Sequence, residues 1–209
     1  IDDEAAQVRF ASLPAGEKTV EIYLDQFYSS RVAGLVVDDG ATVEADAETG
    51  QTRWITYGSS ITQCRTAHSP ARTWPATAAR MRNCQLTCLG YGGECHLDGM
   101  VARDIRQLPA DFISLKLGIN MYSGSVSPRT FRPMIISFVE TIRQGHPDTP
   151  LALVSPIVSP PRETEQNKHG WALEEMRQEV DNAGDCLRQA GDTNIHNFNG
   201  LDLFGPDLV

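Results

Sequence analysis

Short apolar runs and longer amphipathic segments alternate along residues 52–204. A short apolar run that ends at a glycine is typical of a buried strand, whereas apolar positions spaced three or four apart indicate a helix that faces a core. Such alternation predicts an α/β fold, in which a parallel sheet carries helices on both faces. The predicted strands are Arg53–Tyr57, Gln85–Leu89, Phe112–Leu117, Leu151–Val154 and Asn194–Phe198, and the predicted helices are Trp74–Arg82, Asp98–Gln107, Ser127–Gln144 and Trp171–Gln189.

Residues 1–50 follow a different pattern, in which apolar and polar positions alternate with period two. This period predicts half-buried strands at Thr19–Leu24 and Arg31–Asp38, the second closed by the turn residues Asp38-Asp39-Gly40. Two or three antiparallel strands are not stable by themselves. Residues 1–50 must therefore pack on another part of the protein or be the tail of a larger β-sandwich, and we predict that residues 51–209 form a separate α/β domain.

Composition and charge narrow the class of protein. The 209 residues are 41% hydrophobic and 22% charged, and 27 acidic against 18 basic side chains give a net charge of −9. This balance argues against nucleic acid or an anionic membrane as a partner, since both attract clustered Lys and Arg. No apolar run is long enough for a membrane span. The five cysteines are an odd number without metal-site spacing, and with no signal peptide visible they favour reduced thiols and a cytoplasmic setting. A bridge between Cys64 and Cys95 stays open as an alternative.

Three of the predicted strands end in residues that suit acyl-transfer chemistry. The first ends at Gly58-Ser59-Ser60, where a tight turn into a helix exposes a hydroxyl beside free backbone N–H groups. The second ends in the glycine-rich run 90–93, and the third ends at Gly118-Ile119-Asn120. Each segment by itself is ordinary turn chemistry. Together they are more specific, because the carboxyl ends of parallel strands meet at one edge of the sheet.

In this order the three segments resemble the block motifs of the SGNH (GDSL-like) hydrolase family. Gly58-Ser59-Ser60-Ile61-Thr62 matches the nucleophile block, with Ser59 where the family usually has Asp; Gly93 matches the glycine block and Gly118-Ile119-Asn120 the third block. The resemblance covers about residues 52–204 and is strongest to acylhydrolases and carbohydrate esterases that carry a jelly-roll module ahead of the hydrolase domain. It implies a three-layer α/β/α, flavodoxin-like fold, with residues 1–50 as the end of the jelly roll.

The resemblance also implies the roles of individual residues. Ser60 is expected to be the nucleophile, and the Ser60 N–H, the Gly93 N–H and the Asn120 side-chain amide are expected to form the oxyanion hole. Ser59, His96 and Tyr122 are candidates for substrate contact. The implied activity is removal of a short, acetyl-like acyl group from a carbohydrate or small metabolite, without a cofactor or a metal.

The late Asp-x-x-His block, which supplies the family's general base, does not follow Asn194–Phe198. His196 lies within that predicted strand, four residues after Asp192, and is expected to be a core or sheet-face histidine. We therefore expect the chain to be truncated before the block. Two alternatives stay open: a non-catalytic binding protein with the same fold, and an acyltransferase that uses the same serine.

Overall fold

The computed structural model describes residues 7–45, 50–124 and 126–209. From residue 52 onward these residues form a five-stranded sheet whose strands all pair in parallel. The strands are β1 (Thr52–Gly58), β2 (Cys84–Gly90), β3 (Phe112–Lys116), β4 (Leu151–Val154) and β5 (Ile195–Phe198). Their order across the sheet is β2-β1-β3-β4-β5. The predicted parallel sheet is confirmed, with each strand within two residues of its expected bounds.

Helices and short turns connect the strands. They are α1 (Ser60–Gln63), α2 (Trp74–Arg82), α3 (Gly99–Gln107), α4 (Ile119–Tyr122), α5 (Pro128–Arg143), α6 (Leu173–Gln189) and α7 (Gly200–Leu203). Thr73 caps α2 as expected, because its hydroxyl accepts the Ala76 N–H at 3.4 Å and Pro75 occupies the first turn. None of the helices in the described ranges combines the length and the apolar character that crossing a bilayer needs.

One face of the sheet packs against α3, α5 and α6 and forms the main hydrophobic core. Alternate strand residues such as Ile55, Tyr57 and Leu115 point into this core and are fully buried. The Tyr57 ring stacks on Phe138 of α5 with ring centroids 5.1 Å apart. Strand β1 is therefore held rigidly at the point where it delivers the Gly58-Ser59-Ser60 turn.

The opposite face is covered by α1 and α2 at β1 and β2. Trp54 lies beside Trp74 of α2, and its indole N–H donates to the Ser114 hydroxyl at 2.9 Å. At β5 the same face carries His196 and Phe198, and both side chains are exposed. Helices thus pack on both faces of the sheet, as expected for the α/β fold.

The strands expected in the N-terminal segment are absent from the described residues 7–45, which contain turns and bends but no strand or helix. The prediction of strands at Thr19–Leu24 and Arg31–Asp38 is therefore wrong for this structure. The physical reason is that a period-two pattern records only which side chains suit a pleated surface, while a strand also needs a neighbour for its N–H and C=O groups. Apolar side chains such as Val36 remain exposed here, and the β-sandwich assignment stays a prediction.

Candidate active site

The nucleophile turn lies where β1 passes into α1. Ser59 is the N-cap of α1, and its hydroxyl accepts the Ile61 N–H at 3.2 Å. Ser60 is the first residue of the helix and is exposed. Gly58 allows this tight passage, because a Cβ at that position would overlap the Thr62 hydroxyl. The sharp turn thus presents the Ser60 side chain to solvent at the carboxyl edge of the sheet.

The loop after β2 lies directly against this turn. The Tyr91 N–H donates to the Gly58 carbonyl at 2.7 Å, which ties the beginning of the loop to the end of β1. A Cβ at Gly90 would overlap the backbone of Gln63 in α1, so only glycine permits the close approach. Gly93 has a φ of +83° and open space around its Cβ position. The loop therefore brings the Gly93 region to the edge at which Ser60 is exposed.

Asn120 follows β3 and belongs to the short helix α4, which begins after Gly118 at a φ of +113°. Its Oδ1 accepts the Cys95 N–H at 3.1 Å, a contact between the glycine-rich loop and the end of β3. With Oδ1 engaged in this way, Nδ2 is the donor of the side chain, and it has no hydrogen-bond partner within residues 7–45, 50–124 and 126–209. The contact joins two of the three segments that the sequence places together.

Beneath these segments lies a buried polar group of three side chains that the sequence interpretation missed. Burial raises the pKa of Tyr57 well above its ordinary value, and it raises the pKa of Cys95 to about 12. Lys116 is only 8% exposed, and burial lowers its pKa to about 8. Tyr57 and Lys116 were visible in the sequence as polar groups within apolar strands, whereas nothing local marks Cys95.

The three residues expected to contact substrate occupy different environments. Ser59 is 1% exposed and its hydroxyl caps α1, so no exposed surface supports the expected contact. His96 is part-buried in the glycine-rich loop, where its Nε2 lies 2.9 Å from the Gly93 carbonyl. The Tyr122 hydroxyl donates to the Glu165 carbonyl at 2.8 Å, which fastens α4 to the loop ahead of α6. The substrate roles of His96 and Tyr122 stay predictions.

Four other histidines lie in the described ranges. His146 is buried against the Ile105 carbonyl at 2.9 Å, and His169 lies 2.8 Å from the Gly124 carbonyl. His68 and His196 are exposed, and none of these four forms a hydrogen bond with Ser60 within the described ranges. All five cysteines are unpaired, so the Cys64–Cys95 bridge is not formed; the Cys95 thiol instead donates to the Lys116 carbonyl at 3.8 Å.

A groove of about 940 Å³ lies elsewhere, between residues 21–26 and the outer side of α2 and β2. Gln63 and Gly90 line it, but Ser60 does not. Across the same described ranges, no three His, Cys, Asp or Glu side chains gather in a group that could hold a metal ion. The chemistry available at the strand ends is that of a hydroxyl and amide donors.

The parallel sheet and the exposed serine beside a glycine-rich loop and a strand-end asparagine define a class of α/β acyl-processing protein. The sequence profile of the GDSL-like lipase/acylhydrolase family matches residues 51–208. The chain belongs to this family. No curated protein sequence matches it significantly.

Solved structures share the fold. The salicylyl-acyltransferase SsfX3 from a tetracycline biosynthetic pathway is 37% identical over 80% of this chain and 48% of its own, with a TM-score of 0.75. A Bacteroides ovatus protein assigned as a GDSL-like lipase is 25% identical over 71% of this chain and 42% of its own, with a TM-score of 0.60. A family two carbohydrate esterase from Clostridium thermocellum, solved with cellohexaose, is 15% identical over 76% and 56%, with a TM-score of 0.59, and supports the fold only. The chain thus spans roughly half the length of these proteins.

Proposed function

We propose that the protein is a serine esterase that removes a short, acetyl-like acyl group from a carbohydrate or small metabolite through an acyl-enzyme on Ser60. The observation that carries the proposal is the Cys95 N–H to Asn120 Oδ1 contact, which leaves the Asn120 Nδ2 donor without a partner among the described residues, at the strand edge that exposes Ser60. Membership of the GDSL-like lipase/acylhydrolase family supports the same chemistry.

In this mechanism the Ser60 Oγ attacks the ester carbonyl carbon while its proton passes to a general base. The carbonyl oxygen becomes an oxyanion, which accepts hydrogen bonds from the Ser60 N–H, the Gly93 N–H and the Asn120 Nδ2. Collapse of the tetrahedral intermediate breaks the bond to the alcohol oxygen, which takes up the proton and leaves. Water then attacks the acyl-Ser60 ester by the same route and releases the carboxylic acid.

In this mechanism the general base is expected to be the histidine of an Asp-x-x-His block. His96 is a weak candidate for it, since its Nε2 already lies 2.9 Å from the Gly93 carbonyl. We therefore assign Ser60, Gly93 and Asn120 to the chemistry, and propose that the proton acceptor belongs to the Asp-x-x-His block of the family.

A second candidate is transfer of the acyl group from Ser60 to the hydroxyl or amine of an acceptor. It is favoured by one observation: 37% identity to a salicylyl-acyltransferase over 80% of the chain. The acyl-enzyme forms identically in both cases, and only the nucleophile of the second step differs. Product analysis with and without an alcohol acceptor separates the two, because an acyltransferase forms the new ester at the expense of free acid.

The test is p-nitrophenyl acetate turnover by protein made from the complete gene. Ser60→Ala is expected to abolish turnover above the background rate, because the hydroxyl that becomes acylated is gone. Ser69→Ala is the matched control, since Ser69 lies beyond α1 and its side chain caps no helix. Equal turnover by wild type and Ser60→Ala contradicts the proposal. A wild-type protein that neither turns over the ester nor reacts with a fluorophosphonate favours a non-catalytic binding protein.

A further inference from the structure

We propose that Tyr57 and Cys95 are positioning residues, whose side chains hold the glycine-rich loop and Asn120 in the geometry of the oxyanion hole. The inference rests on the proposed function of Ser60, Gly93 and Asn120 and goes beyond it, because neither Tyr57 nor Cys95 touches the reacting atoms.

Two hydrogen bonds made by buried side chains carry the inference. The Leu97 N–H donates to the Tyr57 hydroxyl oxygen at 3.0 Å. The Cys95 thiol, two residues earlier in the same loop, donates to the Lys116 carbonyl at 3.8 Å. Together these two bonds link the end of β1, the loop after β2 and the end of β3. These are the three segments that carry Ser60, Gly93 and Asn120.

The backbone of Cys95 connects these bonds to the oxyanion donor itself. Its N–H donates to Asn120 Oδ1 at 3.1 Å, while the residue is 1% exposed and its thiol is bonded to the Lys116 carbonyl. A shift of the Cys95 backbone would therefore move the Asn120 amide with it. Gly93 lies only two residues earlier in the same loop, so the same shift would move the second donor.

The backbone conformation of Leu97 indicates that contacts from outside the glycine-rich loop stabilise the loop at this residue. Its φ is +61°, a left-handed conformation that a leucine rarely adopts, and its side chain is 6% exposed. Such a conformation persists only where the surroundings enforce it. The Tyr57 hydroxyl, fixed by a buried ring that stacks on Phe138, is the acceptor for the Leu97 N–H.

The tyrosine ring and its hydroxyl have separable roles. The ring fills the core between Phe138 and Tyr91, with centroid distances of 5.1 and 5.9 Å. A phenylalanine would make the same ring contacts, so packing does not account for the hydroxyl. Tyr57→Phe therefore removes the acceptor for the Leu97 N–H and preserves the core. Tyr91→Phe is the matched control, because it removes a hydroxyl from the neighbouring ring and leaves the Leu97 bond in place.

The test combines kinetics with hydrogen exchange, on protein made from the complete gene. Tyr57→Phe is expected to lower kcat by about 10- to 100-fold, because displacing catalytic donors by a fraction of an ångström is this costly, with KM changed less than about 2-fold. Cys95→Ala is expected to lower kcat by about 10-fold, and Cys95→Ser to restore most of it, because the serine hydroxyl renews the bond to the Lys116 carbonyl. A residue that serves packing alone predicts no such rescue.

Hydrogen exchange of the backbone amides of residues 95–97 tests whether Tyr57 stabilises the loop, and this measurement does not require turnover. These amides are expected to exchange faster in Tyr57→Phe than in Tyr91→Phe. Equal exchange in the two variants, or equal kcat in an enzyme that Ser60→Ala inactivates, overturns the positioning role. If Ser60→Ala leaves turnover unchanged, the proposed function fails, and the exchange comparison still decides whether Tyr57 holds the loop.

Discussion

The backbone N–H of Cys95 donates to the side-chain Oδ1 of Asn120 at 3.1 Å. This contact joins a loop that follows the edge strand β2 to the residue that follows β3, across the carboxyl end of β1. It fixes the orientation of the Asn120 amide, with Oδ1 towards the loop and Nδ2 as the group that can donate to a ligand. In the proposed mechanism this donor stabilises the oxyanion that forms when the exposed Ser60 attacks an ester.

Asn120→Ala is therefore expected to lower kcat by about 10²- to 10³-fold, the usual cost of removing one oxyanion donor, with little change in KM. Asn120→Asp is expected to be at least as damaging, because it keeps the acceptor for the Cys95 N–H and adds a negative charge where the oxyanion forms. Steady-state kinetics on p-nitrophenyl acetate measures both. Asn182→Ala, on α6, is the control, and an Asn120→Asp variant with wild-type kcat would refute the donor role.

Gly90→Ala is expected to impair activity, because a Cβ at Gly90 would overlap the backbone of Gln63 and push α1 away from β2. Backbone cannot yield as a flexible side chain can, so we expect a loss of at least about 10-fold in kcat and of about 1–3 kcal/mol in the free energy of unfolding. Gly99→Ala is the control, since a Cβ there meets nothing within 4 Å. Urea unfolding and turnover check both variants, and similar behaviour of the two would rule out the close packing of Gly90 on α1.

Lys116 makes stability depend on pH. Burial lowers its pKa from an ordinary value of 10.5 to about 8, so between these two values the unfolded chain binds more protons than the folded chain. The free energy of unfolding attributable to Lys116 therefore rises with pH from about 8 to about 10.5. Lys116→Met is expected to exceed wild type by up to about 3 kcal/mol at pH 7, with the gap closing across that window. Urea titrations at several pH values measure the gap, and a constant gap would contradict the buried cation.

Arg143, the last residue of α5, forms hydrogen bonds with the loop after α5 and with the loop after α6. It contacts Asp192 at 2.6 and 3.1 Å and donates to the carbonyls of His146 and Asn194, while Arg143 and Asp192 are only 13% and 14% exposed. Arg143→Met is expected to cost about 3 kcal/mol, because a largely buried carboxylate loses its partner.

The control for this pair is Arg132→Met. Arg132 is 44% exposed and lies 3.3 Å from Glu179, and exposed pairs contribute less than about 1 kcal/mol. Chemical denaturation of both variants gives the comparison. Similar losses in the two would mean that burial does not distinguish these ion pairs.

The five strands and the four longer helices from residue 52 onward could be predicted from their hydrophobic patterns and their end signals, whereas the four-residue helices α4 and α7 are too short to show a period. Thr73 with Pro75 begins α2, and Gly58 ends β1. The strands expected before residue 50 could not be decided in the same way. Their pattern resembles that of a true strand, but pairing depends on a neighbour that local sequence does not encode.

The strand topology predicted which residues lie at the same edge of the sheet, but not the contacts that their side chains make. Ser60, Gly93 and Asn120 follow consecutive strands of a parallel sheet, so their common edge was foreseeable. The burial of Ser59 could not be predicted, because a serine beside a helix start can serve either as an N-cap or as a ligand contact. The roles of Tyr57 and Cys95 could not be predicted, because the Tyr57 hydroxyl bonds an amide 40 positions away and a buried thiol has no local signature.

Covalent trapping of Ser60 is the most direct test of the central claim. The protein made from the complete gene is incubated with a fluorophosphonate and digested, and the modified residue is located by mass spectrometry. We predict a single adduct on Ser60, absent from Ser60→Ala and formed more slowly by Asn120→Ala. An adduct on a different residue, or equal labelling of wild type and Ser60→Ala, would contradict the assignment of Ser60 as the nucleophile.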